Sequence, residues 1–121
     1  MARRHDVLKY ERDGDVLIVA PVGDSLRVEE RTLSDEVDAL HKLLDTSPLK
    51  HIVVDIGSAP YFGSLILGSV IALCKRITDA GGKAAMCNAS EGMKESLEIM
   101  RIESIIPYYA TRDEALQATR V

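Results

Sequence analysis

His51-Ile-Val-Val-Asp55, a loop closing on Tyr61-Phe62-Gly63-Ser64, and the run from Leu65 through Asp79 to Gly81-Gly82 decide how this chain folds. Four apolar-leaning residues in a row need cover on both sides, so His51 to Val54 reads as a central strand and Asp55 marks where it emerges into the loop. At about 100° per residue, Ile66, Leu67, Val70, Leu73, Cys74 and Ile77 fall within one apolar arc, which defines an amphipathic helix stopped by Gly81-Gly82. Lys83-Ala-Ala-Met-Cys87 reads as the next strand. Because a helix carries the crossover, that strand runs parallel to the one at His51.

On the amino-terminal side, Val7 to Glu11 and Val16 to Ala20 flank Asp13-Gly14, whose tolerance of positive φ suits a tight hairpin and makes the first pair of strands antiparallel. Pro21 lacks an amide donor and belongs at a strand end or edge, with Gly23-Asp24-Ser25 as a loop beyond it. Leu33, Val37, Leu40 and Leu44 recur at helical spacing, and Glu29, Glu30, Asp35, Glu36 and Asp38 take the remaining faces. Pro48 ends that helical region. On the carboxyl-terminal side, Ser90 caps a helix whose buried stripe is Met93, Leu97 and Met100, although Gly92 weakens its first turn. Pro107-Tyr-Tyr is a short last strand, and Thr111 and Glu114 have capping-box spacing ahead of Ala115 and Leu116. The expected architecture is one α/β domain over residues 6–121 after a flexible tail at 1–5. Its mixed sheet has about five strands, the first antiparallel, and about four helices, with the core helices on one face.

Composition narrows the function classes. At 121 residues and 46% hydrophobic content the chain can bury roughly two thirds of its unfolded surface without staples. A net charge of -4, with no basic block beyond Arg3-Arg4, provides no footprint for nucleic acid. Cys74 and Cys87 lack CxxC spacing and read as reduced core residues. No leader-like apolar stretch and no run near the ~20 residues of a membrane span is present, which points to a cytoplasmic protein. Enzyme classes fare poorly. Gly63-Ser-Leu-Ile-Leu67 is not a GxSxG elbow, and His5, His41 and His51 fall in the tail, on a helix and at a strand start. There is no phosphate-binding GxxxxGK[ST] loop, so nucleotide binding has weak support, and neither metal-ligand spacing nor a cofactor signature appears.

Ser64 stands at a helix start, where unpaired N–H groups and the positive end of the helix dipole suit either a cap or an added phosphate. Gly68, Ala72, Lys75 and Asp79 share its side of the helix, and apolar Leu65 lies beside it. Gly68 costs about 1 kcal/mol relative to alanine in a helix interior, which calls for either tight internal packing or a surface on which another protein's backbone docks.

These segments together resemble the STAS domains, and within them the bacterial anti-sigma-factor antagonists. The family has a strand ending in Asp-Leu-Ser-Gly and an Asp-Ser-Ser-Gly-Leu-Gly turn into a helix. Here Asp55-Ile-Gly-Ser58 and Gly63-Ser-Leu-Ile-Leu-Gly68 stand in those places. Lys75-Arg76 with Ala80-Gly-Gly82, Ser90 through Ile102, and Ile105-Ile-Pro-Tyr-Tyr109 ahead of Glu114-Ala-Leu116 extend the likeness over nearly the whole chain. The resemblance implies a phosphoacceptor at Ser64, modified by a partner that is both anti-sigma factor and serine kinase. It also implies a partner-binding surface of Asp24, Gly63, Ser64, Leu65, Gly68 and Ala72, with Asp55 and Ser58 as loop support; from its own position, Asp55 reads first as a solvated strand-end carboxylate that caps local amides. Gly63, Leu65, Ile66 and Arg101 depart from the family pattern, where an acidic residue, a hydroxyl and two glycines stand. The alternative the resemblance leaves is a STAS scaffold, or a subunit of another signalling or transport complex, with no phosphorylation switch.

Overall fold

Gly14, at φ 61°, takes the first central place of the turn that folds β1 (Leu8–Asp13) back on β2 (Val16–Pro21), the conformation for which that site needs glycine. The computed structural model describes residues 7–21, 30–57 and 64–120, with the backbone alone for Glu30, Ser64, Leu65 and Glu103. After the hairpin come α1 (Glu30–Thr46), β3 (His51–Asp55), α2 (Ser64–Asp79), β4 (Ala84–Cys87), α3 (Glu91–Ile99), a 3₁₀ turn (Ile102–Ser104), β5 (Tyr108–Tyr109) and α4 (Arg112–Thr119). The sheet order is β1-β2-β3-β4-β5, antiparallel between β1 and β2 and parallel thereafter. The expected mixed sheet with its antiparallel first strand is therefore what forms. The short N-terminal tail expected at residues 1–5 lies outside the described residues.

Successive parallel strands laid down in one direction by right-handed crossovers put every crossover helix on the same side. Leu17, Val19, Ile52, Val54 and Met86 accordingly meet Leu33 and Leu40 of α1, Ile66, Val70 and Leu73 of α2, and Met93 and Leu97 of α3 in the main core. The alternate residues Val16, Ile18, Val53, Ala85 and Cys87 point the other way and are covered by Ala115 and Leu116 of α4. All six residues of the expected α2 stripe are buried, as are Cys74 and Cys87, which are free and face opposite sides of the sheet.

Two expectations are corrected. Glu36 does not share the solvated faces of α1: it is 3% exposed, and its carboxylate accepts the Val7 N–H at 3.0 Å and the Leu8 N–H at 2.8 Å. Those amides enter the edge strand inside the core boundary, where an unpaired donor would be costly, so α1 supplies the acceptor. Met100 is not on the α3 stripe but 46% exposed, because the helix ends at Ile99 and Arg101 turns left-handed at φ 57°. The Ser90 cap forms as read, accepting the Met93 N–H at 3.2 Å. The capping box at Thr111 is half-formed. Thr111 accepts the Glu114 N–H at 3.2 Å, but the Glu114 carboxylate reaches back to Ala110 N–H at 3.3 Å rather than to Thr111 itself.

The end of α2 shows why both glycines are required. Gly81 has φ 92°, and its N–H donates to Thr78 O at 3.0 Å while Gly82 N–H donates to Ile77 O at 2.9 Å, the paired bonds of a Schellman termination. A Cβ on Gly82 would lie 1.9 Å from the Lys50 carbonyl oxygen, whereas one on Gly68 meets nothing within 4 Å. Alanine at the two sites should therefore act in opposite directions in urea unfolding. Gly82→Ala loses about 1 to 3 kcal/mol or more through overpacking, and Gly68→Ala gains up to about 1 kcal/mol from helix propensity. Destabilisation by Gly68→Ala would reveal a packing role that the contacts do not contain.

Candidate functional site

Parallel strands deliver their loops to the carboxyl edge of the sheet, and there β3 does not end cleanly. The ladder continues one step as Ile56 N–H donates to Cys87 O at 3.1 Å, and the next amide, Gly57 N–H, donates to Asp55 Oδ1 at 2.9 Å. A side chain at Gly57 would crowd Asn88, since its Cβ would sit 3.0 Å from the Asn88 Cβ. Asn88 itself leaves β4 at φ 63°, a left-handed turn that asparagine tolerates better than most residues. Alongside, Tyr108 Oη accepts the Ala89 N–H at 3.1 Å ahead of the Ser90 cap of α3.

Asp55 organises this edge. It is 7% exposed, so the reading of it as a solvated carboxylate is corrected, while its capping of a local amide is present. Its second oxygen, Oδ2, accepts from Arg112 Nε at 2.8 Å, and another guanidinium nitrogen of Arg112 pairs with Glu11 on β1. Burial pushes the Asp55 pKa up, but the Gly57 amide, the Arg112 and Asn88 side chains and the Arg112 charge outweigh it and hold the carboxyl below its ordinary 3.8. Desolvation, with the Asp55 charge beside it, lifts the Cys87 thiol to about 12, so Cys87 is an inert core residue.

Arg112 was not singled out in the sequence, although a signal existed. A cation in the first turn opposes the helix dipole, and one placed there calls for carboxylates nearby. Glu36 was legible in the same way, since position 36 lies three residues after Leu33 and four before Leu40 and so on the apolar stripe.

Of the sequence-derived site residues, Ser64 is the first residue of α2 and Leu65 the second. Gly68 and Ala72 are exposed on α2, followed by Lys75 and Asp79, which form an exposed ion pair at 3.3 Å. Among the described residues, a Cβ on Gly68 would meet nothing within 4 Å, so none of them accounts for a helical glycine there. Asp24, Ser58, Tyr61, Phe62 and Gly63 lie outside the described residues. His41 and His51 are elsewhere: His41 Nδ1 is 3.0 Å from Arg76 Nη1, and His51 Nδ1 accepts the Lys83 N–H at 3.0 Å at the amino edge of the sheet. Arg76 also pairs with Asp45. The groove of about 300 Å³ between Leu44, Leu49, His51, Arg76 and Ile77 opens at that same far edge, away from Ser64. Among the described residues there is no group of three metal-ligating side chains, and no helix is long and apolar enough to cross a membrane.

Once these features are set beside known proteins, the class is clear. The sequence pattern of the STAS domain matches residues 8–115, and the chain belongs to that family. Its fold is shared by an anti-sigma-factor antagonist STAS domain protein from Planctomyces limnophilus, at TM-score 0.74 and 20% identity over 94% of this chain and 98% of that one. An anti-sigma factor antagonist from Mycobacterium paratuberculosis superposes with TM-score 0.73 and 20% identity over 95% and 94% of the respective chains. The Bacillus cell fate determinant SpoIIAA in its phosphorylated form does so with TM-score 0.70 and 12% identity over 93% and 98%.

Asp55→Ala would leave the Gly57 amide and Arg112 Nε without the acceptor they share, costing about 1 to 3 kcal/mol near neutral pH. Because the folded pKa of Asp55 is depressed, its contribution is complete above 3.8 and disappears as pH falls through the folded value. The gap between wild type and variant in denaturant unfolding should therefore narrow in acid. A gap that stays constant with pH would separate Asp55 ionisation from stability.

Proposed function

We propose that the protein is an anti-sigma-factor antagonist, a non-catalytic cytoplasmic module that binds an anti-sigma factor with serine kinase activity and is released from it by phosphorylation at Ser64. The observation that carries this reading is the helix α2 itself. It begins at Ser64 and exposes Gly68 and Ala72 along its length, with open space over Gly68 where another backbone can approach. Family membership over residues 8–115 and the fold shared with antagonists, among them the anti-sigma factor antagonist SpoIIAA, known in phosphorylated and unphosphorylated forms, support the same conclusion. The partner surface comprises Ser64, Leu65, Gly68 and Ala72, joined by Asp24 and Gly63, with Asp55 and Ser58 supporting the loop.

The switch is electrostatic. A phosphoserine adds about -1.5 to -2 charges and three acceptor oxygens, and in a desolvated interface this repels docking unless basic groups meet it. On the free protein the same group sits at a helix N-terminus, where backbone N–H groups and the dipole favour it, so modification need not unfold the domain. Relative to the family pattern, Gly63 removes a carboxylate that could orient Ser64 or bind a metal and also removes its repulsion toward a phosphate.

The experiment uses the wild-type domain to capture its partner from the native cell, identifies that partner and any Ser64 phosphopeptide by mass spectrometry, and compares variants by calorimetry. Ser64→Ala should bind at least as tightly as wild type, and Ser64→Asp should bind a hundredfold or more weaker, about 3 kcal/mol. Equal affinities for the two would remove Ser64 as the switch and leave the domain a constitutive STAS scaffold.

A further inference from the structure

α4 covers the face of the sheet opposite to α2, yet its first residue reaches the root of the loop that leads to Ser64. Arg112 Nε donates to Asp55 Oδ2 at 2.8 Å, and Asp55 Oδ1 in turn accepts the Gly57 amide at 2.9 Å. The other end of the guanidinium pairs with Glu11 on the edge strand β1, and Arg120 at the far end of α4 donates to Asp13 Oδ2 at 3.1 Å on the same strand. α4 is thus strapped across the sheet from β1 to the end of β3. A Cβ at Gly57 would be crowded by Asn88 and by Asp55 Oδ1, at 3.0 and 3.1 Å.

We propose that Arg112 is a positioning residue for Ser64: clamped between Asp55 and Glu11, it fixes through Asp55 the direction in which the chain leaves β3, and so couples the α4–β1 face of the domain to the switch on the opposite side. This rests on Ser64 being the switch. The described part of the route is the pair of bonds from Arg112 to Asp55 and from Asp55 to the Gly57 amide. An Asp55 carboxylate paired with Arg112 holds the Gly57 amide by a charge-assisted bond, whereas a carboxyl without that partner is poorly solvated at 7% exposure and gives up the amide more readily. Anything that draws Arg112 away, such as an acidic partner on the α4–β1 face competing with Glu11 and Asp55 for the guanidinium, loosens the start of the loop.

Nuclear magnetic resonance of the free protein tests this, with no partner or kinase present. The titratable and charged groups around Asp55 are Arg112, Glu11 and Cys87. The amide shifts of Gly57 and Ser64 should follow one shared titration with a midpoint below 3.8, and Asp55→Asn should abolish it in both, which assigns it to Asp55 rather than Glu11. Arg112→Met should raise the shared midpoint by about one unit or more. Arg112→Lys, which keeps the charge but not the forked donor, should fall between methionine and wild type. A Ser64 amide that ignores the Asp55 titration, or a Gly57 midpoint unmoved by Arg112→Met, overturns the proposal. Either failure leaves the binding contrast between Ser64→Ala and Ser64→Asp to stand or fall independently.

Discussion

A strand that is apolar on both faces and lies in the middle of a sheet must be covered twice, and in this protein nearly every other element answers to that demand. Ile52 and Val54 face one way and Val53 the other, all fully buried. The first pair requires a layer of helices, which α1, α2 and α3 supply; the second requires α4, whose Ala115 and Leu116 close the opposite side. Asp55 follows in the same alternation and so falls on the α4 face. A carboxylate delivered to that depth has to be met by charge and hydrogen bonds, since burial alone would force a proton onto it. Arg112 and the Gly57 amide meet it.

The two ends of the sheet are therefore different chemical environments. At the carboxyl edge lie the Asp55–Arg112 pair, the left-handed Asn88, the capped start of α3 and the first residue of α2. At the amino edge the Schellman turn of Gly81-Gly82 packs against the Lys50 carbonyl, and histidines 41 and 51 are engaged in hydrogen bonds of their own. The amino edge is thus the end at which the carboxyl terminus of α2 is held to the sheet. The imidazoles of His41 and His51 are engaged away from the edge where α2 begins.

Glycine serves opposite purposes along one helix. Gly82 is dictated by space, with no room for even a methyl group, and Gly81 by its backbone angle. Gly68 is dictated by neither and costs the helix stability without any internal return among the described residues. A residue of that kind is expected on a surface that another molecule approaches closely. Arg101 presents the reverse case: the termination of α3 asks for a left-handed residue, which arginine adopts at a cost glycine would avoid.

Hydrophobic period and turn chemistry were enough to read the order of elements, the antiparallel hairpin at Gly14, the six-residue stripe of α2 and the caps at Ser90 and Thr111, because each depends on residues close together in the chain. Of the candidate site, the placement of Ser64 at the start of α2 and of Gly68 and Ala72 on its exposed side was legible, because one helical period relates them. What only the tertiary structure decided were contacts between residues far apart in sequence. Glu36 became an acceptor for Val7 and Leu8 because α1 packs beside the edge strand, and Arg112 became the partner of Asp55 because α4 crosses the face onto which Asp55 points. The chain neighbours of a charged residue can flag an apolar helix face or an unfavourable dipole, but what compensates the charge there is set by the elements that fold over it.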